Sequence, residues 1–110
     1  LFKRQNSAGE PMTIVGDGKQ KRDFIYIDDV VSSNICAMNA STSDIPYGIY
    51  NVGTGKNYSI NDIANMIGNN KKMISSRPAE VQETLADIES TMRDLGWFPK
   101  HKLEDKINDY

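Results

Sequence analysis

A small mixed α/β domain is the fold this sequence predicts, on three observations. Short β-branched or aromatic runs alternate with segments whose apolar residues recur at helical spacing. Glycine-rich turns punctuate the two kinds of segment. The length, 110 residues, suits a single α/β unit and leaves no room for a second complete domain.

The elements follow in order. Leu1-Phe2-Lys3-Arg4-Gln5 opens on apolar residues without an initiator methionine, as a helix cut in its middle would, so the sequence reads as a fragment. Ser7 to Pro11 stops that helix, and Met12-Thr13-Ile14-Val15 is a short strand closed by Gly16-Asp17-Gly18. Asp23 to Ile27, rich in aromatic and β-branched residues, reads as a second strand returning as a hairpin on the first. Asp28 or Asp29 then caps a helix over Val30 to Ala40, with Val30, Val31, Ile35, Cys36 and Met38 as its buried face. Ser41 to Pro46 ends it in a loop, and Gly48 to Gly53 is a third strand. Ser59 and Asp62 form a capping box for a helix striped by Ile60, Ile63, Ala64 and Ile67 and stopped by Gly68. Lys71 to Ser76 is a fourth, edge-like strand. Asp87 starts a helix with Ile88, Met92 and Leu95 on one face and Gly96 as its stop. An aromatic turn at Trp97-Phe98-Pro99 leads to a last short helix in Leu103 to Tyr110.

Composition excludes several classes of function. Thirteen basic residues against fifteen acidic ones give a formal charge of −2 with no basic block, which disfavours a nucleic-acid surface. No apolar run approaches the ~18–20 residues of a membrane helix, and the expectation is a soluble, cytoplasmic protein. The lone Cys36 cannot form an internal disulfide, and one cysteine with one histidine is too little for a zinc site.

The glycine clusters fail as phosphate loops. Gly53-Thr54-Gly55-Lys56 is followed by Asn57, and its first glycine position is occupied by Tyr50. Gly16-Asp17-Gly18 lacks the third glycine and the opening helix of a dinucleotide fingerprint. No tyrosine has a lysine four residues on, so a helical tyrosine–lysine acid/base pair cannot be built. His101, between Lys100 and Lys102, reads as a solvated loop residue, and Cys36 as part of a helix stripe. Two arginines remain: Arg22 at a strand start and Arg77 before Pro78. A guanidinium fork suits phosphate because it donates two parallel hydrogen bonds, although most arginines simply face water.

The segment from Gly9 through Gly16-Asp17-Gly18-Lys19-Gln20-Lys21-Arg22-Asp23-Phe24 to Val31 resembles the extended short-chain dehydrogenase/reductases acting on nucleotide sugars, the UDP-glucose 4-epimerase group among them. Tyr50 to Gly55, Arg77-Pro78-Ala79-Glu80 with Ala86-Asp87, and Leu95-Gly96-Trp97-x-Pro99 resemble later motifs of that group, in order. The resemblance implies that residues 1–110 are a carboxyl-terminal nucleotide-sugar-binding domain of a Rossmann-type enzyme. It implies that Arg22 and Arg77 hold the diphosphate, with Glu80 near the ribose and Asp23 and Phe24 beside the site. Thr84 aligns with a sugar-pocket gate that is a bulky aromatic in some 4-epimerases, so N-acetylated sugars would fit as well as UDP-hexoses. NAD and the catalytic tyrosine belong to the part of the parent enzyme absent here, so no cofactor is expected on this chain and the chain alone is expected to be inactive. The parent is expected to be a homodimer and the fragment to self-associate. Ala79 departs from the family's glycine and leaves the local loop shape open. A dTDP-sugar dehydratase or UDP-glucuronate decarboxylase of the same superfamily is the near alternative, and a non-catalytic nucleotide-sugar or protein-binding module the distant one.

Overall fold

The computed structural model describes residues 1–41, 43 and 48–110. In chain order the elements are α1 (Phe2–Ser7), β1 (Met12–Val15), β2 (Lys21–Asp23), α2 (Ile27–Asn39), β3 (Asn57–Ser59), α3 (Ile60–Ile67), β4 (Lys71–Ile74), α4 (Glu89–Leu95) and α5 (Leu103–Lys106). They pack as two compact units, one of Leu1–Arg22 with Tyr58–Thr84, the other of Asp23–Asn57 with Leu85–Tyr110. The predicted loop over Ser41 to Pro46 lies mostly outside the described residues.

The first unit is built on β1, whose Met12 and Ile14 alternate inward and are fully buried beside Ala64, with Phe2, Ile60 and Ile67 packed against them. β1 does not form the expected hairpin. It pairs in parallel with β4, Met12 opposite Lys71 and Val15 opposite Ile74, and β2 pairs instead with β3. A two-residue hairpin can join only antiparallel strands, whereas a parallel pair needs a long crossover, here the stretch carrying α3. The capping box of α3 is as predicted: Ser59 Oγ accepts from Asp62 N–H at 3.0 Å, and Asp62 Oδ2 accepts from Ser59 N–H at 3.0 Å. Gly18, at φ 71, turns the chain after β1, and a Cβ there would collide with Asn61, whose Nδ2 donates to Asp17 O at 2.9 Å.

The interior of the second unit mixes the apolar Ile88, Trp97 and Leu103 with the polar Asp29, Ser33 and Thr91. α2 begins one turn earlier than predicted, with Tyr26 as its N-cap, and Asp28 and Asp29 lie in its first turn, favourably placed for the helix dipole. Its inner face is Asp29 and Ser33, not the apolar stripe. Ile27, Val31, Ile35 and Met38 are exposed. Asp29 explains the inversion: its carboxylate accepts from the backbone N–H of Lys100 (3.1 Å) and His101 (3.0 Å), while Trp97 Nε1 donates to its carbonyl (3.1 Å) and to Ser32 Oγ (2.8 Å). Buried backbone donors must find partners, and here the first turn of α2 supplies them. Residues 48–52 are not a strand. The backbone of Asn51 is used by Thr91, whose Oγ1 donates to its carbonyl at 2.6 Å, and its side chain donates to Asp87 O. α4 ends as predicted, on Gly96 at φ 62.

Candidate functional site

A cleft of about 330 Å³ opens in the first unit where β1 and β4 end. Its walls are the Val15–Gly16–Asp17 turn, Gln20, Ser76–Arg77, Glu80 and Gln82. The carboxyl ends of parallel strands are where α/β sheets offer ligands a crevice, because the chain diverges there into loops. After β4 the chain runs Ser76-Arg77-Pro78, then turns through Ala79 at φ 60, which brings Glu80 back to the cleft. Beyond it, Lys21 N–H donates to Gln82 O at 2.8 Å and Thr84 N–H to Lys21 O at 3.0 Å, a short parallel pairing centred on Lys21 and Glu83.

Of the residues singled out in the sequence, Arg77 and Glu80 line this cleft, Arg77 exposed and Glu80 half-buried. Arg22 joins them through Glu80: its Nη2 stands 3.7 Å from Glu80 Oε1, an ion pair beyond hydrogen-bond range, and its Nη1 donates to Lys21 O at 2.7 Å. Thr84 is exposed and is not among the lining residues of the cleft. Asp23 and Phe24 belong to the second unit, where Phe24 is half-buried. Asp23 is engaged by its own neighbourhood, accepting from Thr54 N–H (2.9 Å), Thr54 Oγ1 (2.6 Å), Gly55 N–H (3.0 Å) and Ala86 N–H (3.3 Å). A carboxylate taking that many donors shapes the Gly53–Gly55 turn, and only glycine fits at position 53, because a Cβ there would strike Ala86 and Asp23.

Sequence reasoning missed Gln20, which is buried in the cleft wall with its Nε2 donating to Val15 O at 2.9 Å. The only signal for it was a long polar side chain between a glycine turn and a strand. It also misread His101, which is not free in solvent: Nδ1 lies 2.9 Å from Asp29 Oδ1, and its ring meets Tyr26 at 5.0 Å between centroids. Burial pushes the Asp29 carboxyl up, but the His101 and Lys100 amides and the His101 ring outweigh it and hold the group below its ordinary value. With its oxygens engaged by those donors, Asp29 anchors the chain at Lys100–His101.

No described helix is long and apolar enough to cross a membrane. The turns Gly16–Gly18 and Gly53–Gly55 each lead into a strand, and not into the helix N-terminus that holds the pyrophosphate in a dinucleotide fingerprint.

Fold and cleft thus define an α/β polypeptide with a ligand crevice at parallel strand ends. The sequence model of the NAD dependent epimerase/dehydratase family matches residues 1–53. A UDP-glucuronate 4-epimerase of Thermodesulfobacterium geofontis is 39% identical over 105 residues, which are 89% of this chain and 31% of that protein. A UDP-glucose 4-epimerase of Yersinia enterocolitica is 32% identical over 99 residues, 84% of this chain and 29% of that one. The crystal structure of a UDP-glucuronic acid 4-epimerase from Bacillus cereus, in complex with UDP-glucuronic acid and NAD, superposes with a TM-score of 0.87 at 33% identity, covering 98% of this chain and 36% of that one. The chain belongs to the NAD dependent epimerase/dehydratase family. It spans about a third of the length of the relatives it matches.

Proposed function

We propose that this chain is the nucleotide-sugar-binding part of an NAD-dependent UDP-sugar 4-epimerase, and that it grips the ligand's diphosphate through Arg22 and Arg77. The observation that carries the reading is the cleft at the ends of β1 and β4, with Arg77 and Glu80 in its wall and Arg22 tied to Glu80. Two guanidinium groups match a diphosphate in charge and in fork geometry. Glu80 holds Arg22 in place and keeps an acceptor for a ribose hydroxyl. The names of the relatives, a UDP-glucuronate and a UDP-glucose 4-epimerase, support a UDP-hexose as the substrate.

In this reading the chain contributes binding and orientation. Holding the diphosphate away from the reacting sugar carbon supplies binding energy that positions the sugar for the chemical step. NAD supplies hydride transfer, and the cofactor and the acid/base residue are assigned to the remaining two-thirds of a parent homodimer. The resemblance, and not the cleft lining, puts Thr84 at the sugar-pocket gate; a small threonine there leaves space for an N-acetyl group, so the parent enzyme is expected to turn over UDP-N-acetylglucosamine as well as UDP-glucose. Activity on UDP-glucose alone would argue against that assignment of Thr84.

The binding reading is tested by titrating the protein with UDP and with UDP-glucose in a calorimeter. Arg77→Ala and Arg22→Ala are each expected to weaken both ligands by about 10- to 100-fold, the range for removing a charged hydrogen-bonding partner. Affinities that stay level in both variants would remove the diphosphate grip from these residues.

A further inference from the structure

Among the described residues one buried side-chain polar atom has no hydrogen-bond partner, Asn61 Oδ1. The amide cannot be turned round to relieve it: Nδ2 donates to Asp17 O at 2.9 Å, and the reverse would set two carbonyl oxygens against each other. Oδ1 sits instead in the space that a Cβ on Gly18 would fill. A buried acceptor left unmatched costs stability, and α3 already has its cap in Ser59 and Asp62, so the folding of that helix does not account for this asparagine.

What Asn61 holds is the turn that walls the cleft. Besides the bond from Nδ2 to Asp17 O, its backbone N–H donates to Gly18 O at 3.0 Å, and the N–H of Ile60 beside it donates to Gln20 O at 3.0 Å. Gly16 and Asp17 line the cleft, and a Cβ on Gly16 would stand 3.6 Å from Ser76 Cβ, so the turn abuts the Ser76–Arg77 wall. With glycines at φ 64 and φ 71 on either side of Asp17, the turn has wide conformational freedom of its own and needs an outside hold to keep one shape. We infer that Asn61, which does not itself line the cleft, is a positioning residue for it: its side-chain amide fixes the Gly16–Gly18 turn in the shape that receives the ligand. The inference rests on the nucleotide-sugar reading of the cleft and adds the group that preorganises one wall from behind.

The protein, Asn61→Leu and Asn61→Ala are titrated with UDP, melted, and compared in the amide order parameters of Gly16, Asp17 and Gly18. Both variants remove the orphaned oxygen together with the hold, and the freed carbonyl belongs to Asp17, an exposed residue, where water replaces the lost donor. UDP affinity is expected to fall about three- to tenfold, the net worth of one hydrogen bond passed on to the ligand. The order parameters of the turn should fall with it, while the thermal midpoint stays level or rises. A purely structural side chain would lower midpoint and affinity together. UDP bound equally by the three proteins, or order parameters that do not change, overturns the inference, as does a midpoint that drops along with the affinity or the failure of both variants to fold. Should only Asn61→Leu fail, because its methyl meets Gly18, Asn61→Ala decides. Wild-type protein that binds no UDP overturns the nucleotide-sugar reading itself, and the order parameters then judge the hold alone: lower values in the variants support it, and equal values sink it.

Discussion

Ala79 holds its backbone at φ 60, and among the described residues it is the only one other than glycine in the left-handed region. The resemblance places a glycine there, and the loop between Arg77 and Glu80 keeps the glycine-like turn while carrying a Cβ. That conformation costs an L-residue roughly 1–2 kcal/mol, partly offset because alanine loses less chain entropy on folding than glycine. Ala79→Gly is therefore expected to raise stability by about 0.5–1 kcal/mol, read as a higher urea midpoint; a midpoint that falls shows the strain is absent. At Asp29 the argument concerns pH. Its folded pKa is depressed, so its contribution is fully present above the unfolded value of about 4 and drains away as pH falls through the folded value. Asp29→Asn should lower stability near pH 7 by about 2 kcal/mol, since an amide oxygen replaces a charged acceptor facing Lys100 and His101. The variant's stability should then change less than the wild type's below about pH 4. Parallel acid limbs for both proteins in a pH series of melts would show that Asp29 does not set this limb.

Among the elements, α3 was legible and β1's partner was not, and the difference is one of range. The box of Ser59 and Asp62 is complete within four consecutive residues, so sequence spacing determines it. Ser59→Ala is expected to destabilise the protein by about 1 kcal/mol through the lost cap, measured by thermal or chemical melting. The Asp62 carboxyl, held low by the Ser59 side chain and then its amide, makes that cap fade as pH falls below the carboxylate range. A Ser59→Ala protein that melts with the wild type would mean α3 is held by Ile63 and Ala64 alone. By contrast, β1 chooses between a near neighbour and Lys71–Ile74 by what α3 can cover, and no local pattern reports that. Residues 48–52 carry a strand-like composition, but α4 takes the Asn51 backbone first. In α2 the helical period was visible and its inward direction was not. The face is chosen by Trp97, Lys100 and His101, far along the chain.

For the molecule as a whole, the candidate site was reached through resemblance and not through spacing: as isolated residues Arg22 and Arg77 are ordinary surface cations, and only the cleft gives Arg77 and Glu80 a common address. The same inversion that hides Asp29 leaves Ile27, Val31, Ile35 and Met38, at successive turns of α2, facing outward at 63%, 49%, 52% and 83% exposure. An apolar stripe of that length is more than the scattered exposure usual in a monomer, and a net charge of −2 opposes association only weakly. The protein is therefore expected to self-associate through α2, with a sedimentation coefficient that rises with concentration. Ile35→Glu should suppress the rise while leaving the thermal midpoint nearly unchanged, because half of that side chain already faces water in the monomer. Wild-type protein that sediments as a monomer at every concentration would rule out the stripe as a contact surface. Loss of association together with a large drop in midpoint would instead make Ile35 part of the unit's interior.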